Sequence, residues 1–152
     1  MSKRRTIKVS SVFPAAQEII WPLLSRVETL QHIAAPYAYF KPLNLVDETW
    51  HEGDIIQFRF RVFGIIPMGI HTIQICEMDR KAGRITSKEY NRTVPVWNHT
   101  ICLESVGKNS VHYTDKIEID AGLITALVCT WAGFFYRHRQ RKWMQLLSGR
   151  YI

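Results

Sequence analysis

Two residues that could take part in acid–base chemistry, His99 and Asp115, lie in alternating polar and apolar segments on either side of Gly107-Lys108-Asn109. This tripeptide indicates a hairpin, and if its loop holds three residues, His99 lies directly opposite Asp115 on the inward face. A carboxylate beside an imidazole fixes its tautomer and raises its pKa, which suits a general base or a donor that orients a ligand. The alternative is a structural hydrogen bond that satisfies two half-buried polar groups.

His71 and Tyr113 also fall on the inward face of their strands and would add a second pair of polar side chains to the predicted site. However, a single histidine on an apolar face is usually a core residue. His71, His99 and Asp115 together could reach a metal ion. However, no HxH or HxxxH spacing preorganises ligands, and we expect no metal site. No P-loop, GxGxxG or GxSxG motif is present, so the sequence predicts no cofactor.

The element that must support these residues is the stretch from Ala121 to Ser148, which contains no proline. Its apolar residues recur at spacings of three and four, and such a pattern predicts one long helix, about 28 residues and roughly 40 Å long. The face predicted to point inward carries Ile124, Leu127, Val128, Trp131, Phe135, His138 and Leu146.

The opposite face of this helix would carry small and apolar residues before the charged half begins at Arg137. These residues are Ala126, Cys129, Gly133 and Tyr136. If exposed, they would form a patch suited to a homodimer or to contact with a membrane surface. If they are covered by loops of the same chain, no such interface follows.

The rest of the chain reads as one strand, two short helices and six further strands. The predicted strands are Arg5 to Phe13, Tyr37 to Thr49, Ile55 to Phe63, Ile70 to Met78, Arg84 to Tyr90, Val94 to Ser105 and the segment from Val111 to Ile119; the helices are Ala15 to Ser25 and Val27 to Ala34. Pro42 predicts an edge strand or a bulge, because proline cannot donate to a sheet. The pattern predicts an α+β fold in which a sheet wraps around one closing helix.

Strand parity, together with the helix face, gives a set of residues that would line a cavity between sheet and helix. The set is Ile56, Phe58, Phe60, His71, Ile73, Trp97, His99, Ile101, Tyr113, Asp115 and Ile117 from the sheet, and Ile124, Leu127, Trp131 and Phe135 from the helix. Apolar residues with a few polar groups are typical of a ligand pocket. The same residues could also simply fill a core.

Composition narrows the class of partner. The net charge is +7, but nine of the twenty Lys and Arg residues lie near the termini, and the segment from Val9 to Tyr136 carries eleven bases and thirteen acids. We therefore expect no nucleic-acid partner. The longest uncharged helical stretch, Ala121 to Tyr136, is shorter than the roughly 18 to 20 residues that cross a bilayer. With three scattered cysteines and no apolar segment typical of a signal peptide, the expected location is cytoplasmic.

Several segments resemble the START-like, or Bet v 1-like, helix-grip superfamily, and within it the SRPBCC and polyketide cyclase/dehydrase proteins. They are the opening strand with VFPAAQEIIWPLLSRVETLQHIAAP, the WHEGD turn, the strands VWNHTICLE and HYTDKIEID, and the closing helix. The resemblance spans residues 1–152 as a single domain. It implies a curved antiparallel seven-stranded sheet around the C-terminal helix, with a cavity between them.

Three functions follow as expectations. The first is binding, with or without transport, of a hydrophobic or aromatic small molecule or lipid, with no cofactor and no transmembrane span. The second is a cyclase or dehydratase reaction in which His99 is the base and Asp115 orients it. The third is a protein-interaction module that uses the outer face of the C-terminal helix. The resemblance is specific for fold and weak for activity, because one fold hosts many functions.

Overall fold

The computed structural model describes residues 4–44 and 47–149. Lys3 and Arg150, two of the terminal bases, lie outside these residues. The elements in chain order are β1 (Arg5–Phe13), α1 (Gln17–Leu24), α2 (Val27–Ala34), β2 (Ala38–Pro42), β3 (Ile55–Val62), β4 (Ile66–Asp79), β5 (Arg84–Tyr90), β6 (Val96–Gly107), β7 (Ser110–Asp120) and α3 (Thr125–Leu147), the last preceded by a 3₁₀ turn at Gly122–Ile124. This order confirms the predicted α+β arrangement.

The strands form one antiparallel sheet in the order β1-β7-β6-β5-β4-β3-β2. The predicted strand from Tyr37 to Thr49 is in fact short: β2 ends at Pro42 and lies at one edge of the sheet, where the missing N–H of proline is tolerated. Residues 45–46 of that prediction lie outside the described residues. Register shifts between Arg59 and Arg61 and between Ile75 and Glu77 mark bulges, which bend the strands locally.

The alternation predicted for the inner face of the sheet is correct on every strand to which it was assigned. The inward side chains of β3, β4, β6 and β7 are buried; among them are Phe58, His71, Trp97 and Ile117. Because side chains alternate between the two faces of a strand, parity alone fixes which residues face the core.

The predicted pairing of β6 with β7 is wrong by two positions. His99 pairs with Ile117, and Asp115 pairs with Ile101. The hairpin closes at Gly107 and Ser110, so its loop holds two residues, and a register shift between Ser105 and Gly107 adds a bulge. A shift of two residues keeps every side chain on its face, so His99 and Asp115 become diagonal neighbours.

The orientation of α3 differs from the prediction. The helix buries Cys129, Ala132, Phe135, Tyr136, Arg139, Gln140 and Trp143. Cys129 and Tyr136, expected on the outer face, are therefore internal, and the predicted outer patch does not form as described. Leu127, expected inside, is 69% exposed. From the 3₁₀ turn to the end of α3, the exposed large apolar residues are Leu123, Ile124, Leu127, Phe134 and Met144. Within the described residues, no helix is both long and apolar enough to cross a membrane.

Candidate functional site

A cavity of about 420 Å³ lies between the inner face of the sheet, the helix α3 and the helices α1 and α2. Its wall is largely apolar, with Ile33, Phe60, Ile73 and Trp131 among the lining residues. The volume lies in the range of small-molecule sites. The side chains of Phe63, Ile66, Ile124 and Leu127 contribute to the lining and are also partly exposed, so they mark its mouth.

Ten of the predicted cavity residues line this space. They are Phe60, His71, Ile73, Trp97, His99, Ile101, Ile124, Leu127, Trp131 and Phe135. The other five, Ile56, Phe58, Tyr113, Asp115 and Ile117, are buried but do not line it. Part of the reason is that α3 packs directly against β1 and β7, which leaves no gap there. Tyr113, for example, stacks on Phe13 with ring centroids 4.4 Å apart.

The polar end of the cavity is built around Glu89, a buried residue of β5. One carboxylate oxygen accepts a hydrogen bond from His71 Nε2 at 2.9 Å, and the other accepts one from Ser87 Oγ at 3.0 Å. His99 Nδ1 lies 3.5 Å from the second oxygen. Burial opposes ionisation of Glu89, but the interactions with His71 and His99 outweigh it and hold its pKa well below the usual range. Glu89 is therefore a buried carboxylate anion.

The hydrogen bonds of Asn91 fix the tautomer of His71. Asn91 Oδ1 accepts from the backbone N–H groups of Thr93 and Val94, so the Asn91 amide nitrogen faces His71 Nδ1, 2.9 Å away. An amide NH₂ is only a donor, so Nδ1 must be an acceptor and the ring proton is on Nε2. His71 Nε2–H then donates to Glu89, and both ring nitrogens are occupied.

His99 lies between two carboxylates. Its Nε2 is 2.7 Å from Asp115 Oδ1, and its Nδ1 faces Glu89. Burial lowers the pKa of His99, but Asp115 and Glu89 raise it by more, so the net pKa is above the usual value. The geometry therefore favours an imidazolium that donates on both sides.

Asp115 connects this cluster to α3. Its side chain is fully buried, and its Oδ2 accepts a hydrogen bond from Gln140 Nε2 at 3.0 Å. Gln140 also donates to the backbone oxygen of Val9 at 2.8 Å and accepts from Ser11 Oγ at 2.6 Å. The predicted contact between His99 and Asp115 is thus present, and Asp115 lies behind His99, away from the cavity.

Arg139 brings a second buried cation to the cavity wall. Its side chain is 7% exposed, and its guanidinium carbon lies 4.9 Å from the ring centre of Tyr136 and 5.5 Å from that of Phe135. These distances are those of cation–π contacts. Tyr136 itself accepts a hydrogen bond from Trp97 Nε1 at 2.9 Å, and burial raises its pKa, so its hydroxyl keeps its proton.

Sequence reasoning missed Ser87, Glu89, Asn91, Tyr136 and Arg139. For Ser87 and Glu89 the signal was present, because the strand RITSKEY alternates and places both on the same face as Ile85. For Arg139 the signal is its spacing of four from Phe135, which places the two on one helix face. In the part of the chain that the structure describes, no group of three His, Cys, Asp or Glu residues is arranged to hold a metal ion.

With the site described, comparison with known proteins gives the family. A family model described as "Domain of unknown function (DUF8410)" matches residues 11–147. The chain belongs to the DUF8410 family. No curated protein matches it.

Solved structures similar to this DUF8410 protein include the Zhui aromatase/cyclase from Streptomyces sp. R1128, with a TM-score of 0.77 and 10% identity over 97% of this chain and 95% of that chain. Norcoclaurine synthase from Thalictrum flavum, in complex with dopamine and hydroxybenzaldehyde, has a TM-score of 0.72 and 16% identity, over 99% of this chain and 90% of that chain. Major latex-like protein 151 from Panax ginseng has a TM-score of 0.68 and 12% identity, over 95% of this chain and 97% of that chain. These likenesses confirm the START-like, Bet v 1-like helix-grip fold.

Proposed function

We propose that this protein binds a hydrophobic or aromatic small molecule, or a lipid chain, in the cavity between the sheet and α3. The observation that carries the proposal is the cavity itself, which has an apolar wall and a polar end made by Glu89, His99 and Arg139. Apolar surface removed from water contributes roughly 25 cal/mol per Å². The wall would therefore supply affinity, and the polar end would set the direction of the ligand.

The fold neighbours support a ligand-binding role. The norcoclaurine synthase structure is a complex with two small aromatic compounds, dopamine and hydroxybenzaldehyde. Zhui is an aromatase/cyclase by name. At identities of 10% and 16%, these neighbours support only a shared fold. We therefore infer the ligand class from the residues that line the cavity of this protein.

The geometry favours binding over a cyclase or dehydratase reaction based on His99 and Asp115. A general base needs a free lone pair within reach of the substrate. Both nitrogens of His99 face carboxylates, and those of His71 face Glu89 and Asn91. The two roles can be separated, since a binder keeps most of its affinity in Asp115→Asn, whereas an enzyme of this type loses turnover.

The test is a fluorescence titration with the neutral probe N-phenyl-1-naphthylamine, compared between the wild type and Val128→Trp. Val128 lines the cavity and is half-buried, so a Trp side chain there narrows the space between α3 and the sheet. Overpacking typically costs 1–3 kcal/mol, so we expect an affinity loss of about tenfold or more.

The matched control is Val12→Trp, the same substitution at an exposed position of β1 that does not line the cavity. This variant should bind the probe like the wild type. Circular dichroism establishes that both variants are folded. Absence of probe binding to the wild type, or equal binding by the wild type and a folded Val128→Trp, would contradict the proposal.

A further inference from the structure

The cavity has polar groups that protein partners do not fully satisfy, and two of them lie together on α3. Among the described residues, the side chain of Arg139 forms no hydrogen bond and no ion pair, and its Nε–H is enclosed without an acceptor. The Tyr136 hydroxyl accepts from Trp97, but within the described chain its own O–H has no acceptor. Both residues line the cavity.

The neighbouring polar side chains are already committed. Each carboxylate oxygen of Glu89 accepts a hydrogen bond, and Ser87 Oγ–H donates to one of them. Both ring nitrogens of His71 and of His99 have partners, and Asn91 uses both its oxygen and its nitrogen. At this end of the cavity, Arg139 and Tyr136 therefore offer hydrogen-bond donors to a ligand.

The charges agree with such a role. Glu89 and Asp115 are balanced by protonated His99 and by Arg139, but no carboxylate of the described residues lies within ion-pair distance of the guanidinium. A buried donor without an acceptor is costly, and a guanidinium presents several donors in one plane. Nε–H itself is enclosed, but the Nη donors are not, and a ligand oxygen in the cavity would give them an acceptor.

We infer that the ligand carries a carbonyl or carboxylate oxygen at its polar end, received by the guanidinium of Arg139 and the hydroxyl of Tyr136, with its apolar body along the cavity. This inference rests on the proposed function, because it names the ligand class of the same cavity. A donor-only head group, such as an ammonium, leaves the donors of Arg139 and Tyr136 without an acceptor and meets the positive charge of Arg139.

The experiment measures displacement of bound N-phenyl-1-naphthylamine by three competitors with the same ten-carbon chain: 2-decanone, decanoate and decylammonium. We expect 2-decanone or decanoate to bind about tenfold or more tightly than decylammonium, as hydrogen bonds to a charged donor suggest. Comparison of the ketone with the carboxylate then shows which acceptor the site prefers.

Arg139→Gln should reduce this preference by about tenfold or more. Arg137→Gln is the matched control, because Arg137 is on the same helix, is exposed and does not line the cavity. It makes the same change in net charge and should leave the preference unaltered. Thermal unfolding followed by circular dichroism shows whether each variant is folded.

Decylammonium binding as tightly as both oxygen-bearing competitors in the wild type would overturn the inference, whether or not Arg139→Gln folds. Equal effects of Arg139→Gln and Arg137→Gln, with both variants folded, would also overturn it. In either case the proposed function stands as long as the probe binds the wild type and Val128→Trp weakens that binding. If the probe does not bind to the wild type at all, the proposed function fails, and the inference fails with it.

Discussion

At the scale of single residues, Glu89 determines what the surrounding polar groups can do. It accepts from His71 and Ser87, and it faces His99 on the side opposite Asp115. Burial lowers the pKa of His99, but Asp115 and Glu89 raise it by more, which favours the cation, and a cation cannot abstract a proton. The two side chains that the sequence suggested as a base and its orienting acid are in ion-pair contact in this structure and link the cavity to the core.

The first prediction concerns the pH dependence of stability that His99 causes. Its folded pKa is raised above the ordinary value of 6.5 because Asp115 and Glu89 outweigh burial and the nearby Arg139. Its contribution to the free energy of unfolding is thus complete below pH 6.5 and is lost as the pH rises through the folded pKa. In urea unfolding between pH 5.5 and 9, wild-type stability should fall relative to His99→Asn, by at most about 1.4 kcal/mol per pH unit.

The control is Gln145→Asn, which changes an exposed, uncharged side chain on α3. It adds and removes no ionisable group, so its difference from the wild type should be the same at every pH. If the difference between the wild type and His99→Asn is also flat, or grows towards high pH, then His99 is not stabilised as a cation in the folded state.

At the scale of elements, the position of α3 on the sheet sets the shape of the site. Gln140 faces β1 and β7, where it bonds to Val9, Ser11 and Asp115. Arg139, one residue earlier, lines the cavity, and Tyr136 lies one turn before it. The bonds of Gln140 fix the rotation of α3 about its axis. This rotation also sets the direction of Tyr136 and Arg139, which are three residues apart and share a helix face.

The second prediction is that Gln140→Leu destabilises the protein. Gln140 is 1% exposed, and its removal leaves the hydroxyl of Ser11, the carbonyl of Val9 and one oxygen of Asp115 without this partner. Each buried polar group without a partner costs about 1–3 kcal/mol, so we expect a loss of about 3 kcal/mol after partial relaxation. The measurement is the free energy of urea unfolding at pH 7.

Gln145→Leu provides the comparison, since Gln145 is exposed on the same helix. A surface change of this type is usually within about 0.5 kcal/mol of the wild type. Similar losses in the two variants would mean that the bonds of Gln140 do not hold α3 on the sheet.

At the scale of the whole molecule, the sheet was predictable because the strand period is two. One correct inward residue, such as Phe58 or Trp97, fixes the face of the whole strand. Register was not predictable, since it depended on a bulge between Ser105 and Gly107 that no local pattern indicates. The error left the faces unchanged, which is why His99 still contacts Asp115.

The face of α3 was harder to predict because large apolar residues occur on several sides of the helix. Leu127 is exposed, whereas Arg139 and Gln140 are buried. A hydrophobicity pattern places the first inside and the other two outside. The residues that break the pattern are those with polar partners or with a place in the cavity wall, and such exceptions are expected at functional sites.

The last prediction follows from the position of the cavity in the centre of the fold. Its lining includes residues of α1, α2, α3 and strands β2 to β6, so a ligand there contacts most of the molecule and none of these contacts survives unfolding. A ligand that binds only the folded state adds about 2.7 kcal/mol at a free concentration of 100 times Kd. Saturating N-phenyl-1-naphthylamine should therefore raise the urea midpoint of the wild type and of Val12→Trp, with an unchanged slope, and should have less effect on Val128→Trp. If the probe binds the wild type but leaves its midpoint unchanged, it binds the folded and unfolded chains equally well, and its binding does not depend on the folded cavity.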